Sequence, residues 1–82
     1  MSSVTVSFEE AKEILKNEND EFARIYRKHR ELDERITHLE EQRFLTPEEE
    51  VEEKQLKVDK LHLKDKMAEM VREYQSTHRP TQ

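Results

Sequence analysis

The stretch Phe44-Leu45-Thr46-Pro47-Glu48-Glu49-Glu50 decides the fold of this chain. Thr46 carries a hydroxyl suited to cap a helix, Pro47 stands at the first helical position, where its missing N–H costs nothing, and Glu49 is spaced to close a capping box with Thr46. Glu48, Glu49 and Glu50 then favour the positive end of the helix dipole. The stretch is a helix start, so any preceding helix must stop near Arg43 or Phe44. A connection as short as residues 45–46 forces the two flanking helices to lie side by side and antiparallel.

The composition agrees with long helices. The 82 residues include no Gly and two Pro, with 43% charged against 32% hydrophobic. That is the profile of a coiled coil, with too little apolar material for a thick globular core. There is no cysteine, hence no disulfide framework or thiolate metal site, and no apolar run is long enough for a signal peptide or a membrane span. A reducing cytoplasm is the expected location. A net charge of -5 argues against a generic nucleic-acid binder.

Working back from the turn, residues 1–7 read as a disordered lead-in, because Val4 and Val6 have no second strand to pair with. Ser7-Phe8-Glu9-Glu10 reads as a second capping box. Helix one is expected over 8–44, since Phe8, Ala11, Leu15, Phe22, Ile25, Leu32, Ile36 and Leu39 recur at heptad steps. The seam fails at Glu18, within the polar run Lys16 to Glu21, so a break near Asn19 giving a short third helix is the alternative to a continuous helix one. Helix two is expected over 47–75, with a disordered tail at 76–82. The fold class predicted is all-α, a long antiparallel two-helix hairpin resembling a coiled coil.

An antiparallel register places Ile36 opposite Leu56, Leu32 opposite Lys60, His29 opposite Leu63, Ile25 opposite Met67, Phe22 opposite Met70 and Glu18 opposite Tyr74. Long polar side chains such as Lys60 and Glu18 can lay their methylenes on such a seam, and His29 is expected partly buried with its polar edge in water. Val51, Val58, Leu61 and Ala68 remain as a second row, since Leu61 and Leu63 point about 200° apart. Burying each Val or Leu contributes roughly 1.5 to 3 kcal/mol, so the row invites a cover: the segment Phe8 to Leu15 folding back over Val58 and Leu61, a second copy of the chain, or another protein. The favoured cover is a second copy, giving a dimer built as a four-helix bundle, although a few exposed aliphatics are ordinary on any helix.

The pattern His29-x-x-Leu32-Asp33-x-x-Ile36-x-x-Leu39-Glu40, followed by Leu56-Lys57-x-x-Lys60-Leu61-x-Leu63-Lys64-Asp65, resembles the YdcH family of small bacterial proteins over most of the chain after Phe22. The resemblance implies a short coiled-coil hairpin of bacterial, cytoplasmic origin with no assigned activity or cofactor. The chain departs from that pattern at Val58, where a basic residue is usual, and at Lys66, where an acidic one is usual. Val58 extends the second apolar row.

Chemistry is sparse. His29, His38, His62 and His78 do not converge, and Asp59-x-x-His62 alone gives two donors where a metal needs more. No phosphate loop, nucleophile pair or cleft is expected, so neither a catalytic residue, a cofactor, a metal nor a small-molecule substrate is assigned. The expected function is a non-catalytic protein–protein interaction module acting through Val51, Val58, Leu61 and Ala68, by self-association or on another protein, and not on a membrane. The alternative is binding of RNA or another polyanion by Arg24, Arg27, Lys28 and Arg30 alongside Lys60, Lys64 and Lys66, with Tyr26 nearby.

Overall fold

Asn19 divides what the seam alone would join. The computed structural model describes residues 6–77, and these form α1 (Phe8–Glu18), α2 (Asp20–Glu40) and α3 (Pro47–Thr77). Asn19 is extended, at φ -121° and ψ 113°. Its N–H still donates to the Leu15 carbonyl, closing α1, while its Oδ1 accepts from the Phe22 N–H at 2.9 Å, opening α2. A short amide side chain that competes for backbone partners is a poor interior residue and a good cap. Among the described residues the protein is therefore all-helical with three helices, and the continuous helix one gives way to the broken form.

The other starts follow the capping logic. The Ser7 hydroxyl accepts from the Glu10 N–H at 3.1 Å and the Glu10 carboxylate accepts from the Ser7 N–H at 3.0 Å. Thr46 and Glu49 repeat the same exchange at 3.1 and 3.0 Å before α3. The ends differ from expectation. α2 stops at Glu40 rather than near Phe44, with the Gln42 N–H turning back to the Leu39 carbonyl at 3.1 Å. Leu39 is fully buried and is the last apolar residue of the seam, so beyond it only the exposed pair of Glu40 with Lys57 holds α2 to α3. At the far end α3 continues to Thr77, whose hydroxyl donates to the Tyr74 carbonyl, and Gln75 Nε2 donates to the Val6 carbonyl at 2.7 Å. Ser76 and Thr77 thus belong to α3 rather than to a tail. Residues 1–5 and 78–82, which carry Val4, His78 and most of the expected lead-in and tail, lie outside the described residues.

Three cross-links show that α2 and α3 run antiparallel. Arg35 makes a two-pronged contact with Glu52 at 2.9 and 3.0 Å, Lys57 meets Glu40 at 3.1 Å, and Lys60 meets Asp33, the residue beside the Leu32 that the register sets opposite it. The apolar core lies at the other end, where α1 packs on both longer helices: Ala11, Leu15, Phe22, Met67 and Val71 form one buried cluster with Ile25, Met70 and Tyr74 around it. The whole measures 57 × 24 × 17 Å.

The returning segment does not cover Val58 and Leu61. An eleven-residue helix is about 16 Å long, and Ala11 and Leu15 are committed to Met67 and Val71. Val58 and Leu61 stay 47% and 55% exposed.

Candidate interaction surfaces

One groove takes a wall from each helix. From α1 come Phe8 and Lys12, four residues apart and so on one face. From α2 come Tyr26, His29, Arg30 and Asp33, and from α3 Lys60, Lys64, Met67, Ala68 and Val71, both sets at steps of three and four. The groove encloses about 480 Å³. Its rim sets four cations, Lys12, Arg30, Lys60 and Lys64, against the single carboxylate of Asp33. Lys60 is paired with Asp33 and Arg30 reaches Glu34 loosely at 3.7 Å. Among the described residues neither Lys12 nor Lys64 meets a carboxylate at ion-pair distance.

His29 registers this environment. It is half-buried, and its Nε2 is shut off from solvent with no hydrogen-bond partner among the described residues, so the expected polar edge in water is wrong for that atom. Burial first, then the positive charge of Lys60, Lys12 and Lys64, hold His29 below its ordinary 6.5, opposed only by Asp33. Asp33 is held below its own ordinary value, chiefly by its hydrogen bond from Lys60. Lys16 sits 4.4 Å from the Tyr26 ring centre, over one of its faces.

Of the seven cations read from the sequence, three meet in the groove: Arg30, Lys60 and Lys64. Arg24, Arg27, Lys28 and Lys66 do not line it. At 100° per residue Arg24 and Lys28 point away from the Tyr26–Asp33 face, and Lys66 turns to Glu69 at 3.7 Å. Arg27 and Lys64 therefore do not share one basic site. Sequence reasoning missed Phe8 and Lys12, whose common face was legible, because what faced them depended on whether Asn19 broke the helix.

The apolar row divides too. Val51 is 68% exposed and, with Val58 and Leu61, forms an uncovered stripe on α3. Ala68 is half-buried and belongs to the groove. Phe44, expected to end a helix, instead stands on the turn with 84% of its surface exposed. Among the described residues no three His, Asp or Glu side chains converge to hold a metal, and no helix is long and apolar enough to cross a membrane.

The family model described as "Protein of unknown function (DUF465)" matches residues 22–71. The chain belongs to the DUF465 family. That family includes the YdcH-like proteins, so the resemblance carried by His29 to Glu40 and Leu56 to Asp65 holds. The DUF465 segment comprises α2 from Phe22, the turn, and α3 as far as Val71; α1, with Phe8 and Lys12, lies outside the match. No curated protein and no solved structure matches the chain.

Proposed function

We propose that this DUF465 protein is a non-catalytic, coiled-coil-like interaction module of the cytoplasm that works by self-association through the outer side of α3. The observation that carries the reading is the uncovered stripe of Val51, Val58 and Leu61. Its three members sit at heptad-related steps along α3, and α1 packs at the other end of that helix, on Met67 and Val71. Isolated aliphatics on a surface need no partner, but a row in register does what the seam of a helical bundle does. Two copies meeting stripe to stripe about a two-fold axis bury the same residues from each, the commonest geometry of a homodimer.

Sedimentation equilibrium tests this. The parent protein is expected to show a concentration-dependent dimer that persists or tightens in sulfate, because apolar burial is strengthened by excluded salts. Val58→Glu together with Leu61→Glu is expected to give a monomer of unchanged helicity, since neither residue is in the buried cluster. A parent that is monomeric at every accessible concentration overturns the reading.

A further inference from the structure

The groove between the three helices combines features that the self-association reading does not use. It is open, its cations outnumber its carboxylates on a chain of net charge -5, and two of those cations have no ion-pair partner among the described residues. Lysines left unpaired on an acidic surface, with Glu and Asp abundant along every helix, are a concentration of positive potential that attracts anions. The floor is different in kind. Met67 and Val71 are buried there, and Phe8, 43% exposed, stands at its edge with Tyr26. Unpaired cations beside an accessible ring and an apolar floor match a ligand with phosphate at one end and a flat ring at the other, since every base offers a face for stacking and every phosphate accepts from ammonium groups.

We infer that the groove formed by Phe8, Lys12, Tyr26, Arg30, Lys60 and Lys64 binds a nucleotide, either free or as part of a single RNA strand. Lys12 and Lys64, with Lys60 and Arg30 behind them, take the phosphates. Phe8 and the apolar floor take the base. Tyr26 already has Lys16 on one face of its ring, so Phe8 is the principal stacking surface. The site is assembled only when α1 folds back, because Phe8 and Lys12 lie before the DUF465 segment and the remaining residues within it. His29 is enclosed by Lys12 from α1, by Asp33 beside it on α2, and by Lys60 and Lys64 from α3; a bound anion offsets those cations and makes the imidazole easier to protonate. This inference is independent of the dimer, since the stripe of Val51, Val58 and Leu61 and the groove share none of these residues.

Titration calorimetry and fluorescence anisotropy on the full chain at low salt test it with three probes: adenosine triphosphate, a short single-stranded oligo-adenylate RNA, and inorganic tripolyphosphate. Binding is expected for the first two, falling with added salt, and accompanied by a rise in the His29 pKa read by NMR. Lys12→Glu with Lys64→Glu is expected to weaken it by about tenfold or more. Phe8→Leu is expected to weaken the two base-bearing probes and leave tripolyphosphate unchanged. Triphosphate bound as tightly as RNA identifies a free nucleotide as the ligand, whereas RNA bound far more tightly identifies a strand. Absence of binding by both base-bearing probes, or binding indifferent to Lys12→Glu with Lys64→Glu in protein shown by circular dichroism to be folded, overturns the inference; so does a Phe8→Leu variant that binds all three probes as the parent does. Repeating the measurements on Val58→Glu with Leu61→Glu separates failure of the groove from failure of self-association.

Discussion

The two ends of the molecule are held by different forces. Around Asn19 three helices enclose Ala11, Leu15, Phe22, Met67 and Val71, and three of these five have no exposed surface at all. Toward the turn only α2 and α3 remain. There Leu32, Ile36 and Leu39 of α2 are buried, but Leu56 and Leu63 of α3 are only half-buried, and the helices are tied across their flanks by Arg35–Glu52, Glu40–Lys57 and Asp33–Lys60. A helix pair has one seam, which here buries the side chains of α2 but covers those of α3 only in part; a third helix closes the open side. The same heptad pattern therefore yields a sealed core at one end and a clamped, half-open seam at the other.

That contrast sets an order of expected effects. Phe22→Ala removes a fully buried ring from the sealed end and is expected to cost about 3 to 5 kcal/mol, the usual range for emptying a Phe site, as measured by denaturant unfolding. Leu63→Ala lies on the half-open seam and is expected to cost less, about 2 kcal/mol, at the low end for a truncated Leu because solvent already reaches the site. Should the two losses prove equal, the ends do not differ as described.

Asn19→Ala tests the junction itself. Loss of the cap is expected to cost about 1 kcal/mol, and a spin-label distance between α1 and the C-terminal part of α3 is expected to lengthen or broaden as the helix gains the option of running straight. An unchanged, narrow distance with unchanged stability shows that burial of Ala11 and Leu15, rather than the Asn19 side chain, sets the bend.

The next effect depends on pH. His29 is held below its ordinary 6.5, so the unfolded chain binds the proton more readily than the folded one. Stability from this group is complete above 6.5, declines as pH falls from there toward the lowered folded value, and changes no further below it. The carboxylates of Asp33 and Glu52, both held low by their basic partners, lose their contribution only in stronger acid, below their ordinary 3.8 and 4.5. His29→Leu is expected to flatten the first decline and leave the second. Smallest of all is Arg35→Ala at the clamped end: exposed ion pairs contribute little and are screened by salt, so amide exchange near the turn is expected to quicken while the global unfolding midpoint barely moves. A large shift in that midpoint makes the ion pairs structural rather than auxiliary.

Sequence alone reached the elements through their boundaries. Ser7 to Glu10 and Thr46 to Glu49 are local chemistry, complete within four residues, and both boxes form as the spacing requires. The heptad seam named Phe22, Ile25, Met67 and Met70 as neighbours, and they share one cluster. The path of α1 was not legible, because Asn19 is compatible with a bend or a straight run and tertiary burial chooses between them. The end of α2 was overestimated since helix propensity past Leu39 is good while Phe44, the apolar residue that would extend the seam, is left exposed. The groove escaped notice for the same reason as α1: its walls are three separate periodicities that meet only after the fold has formed, and a map of charges along the chain, which grouped Arg24, Arg27 and Lys28 with Arg30, cannot distinguish the faces of a helix.

The reversal from α2 to α3 contains no glycine, and no described residue has a positive φ. A chain that changes direction twice, at Asn19 and over residues 41–46, without entering the left-handed region makes no stereochemical demand that only one amino acid can meet. It also begins from a less disordered unfolded state than a glycine-bearing hairpin, so less backbone entropy is surrendered on folding. Mutational drift in such a chain is constrained by which side chains are apolar and where helices are capped, and hardly at all by backbone geometry, leaving its long polar faces free to diverge while the shape is kept.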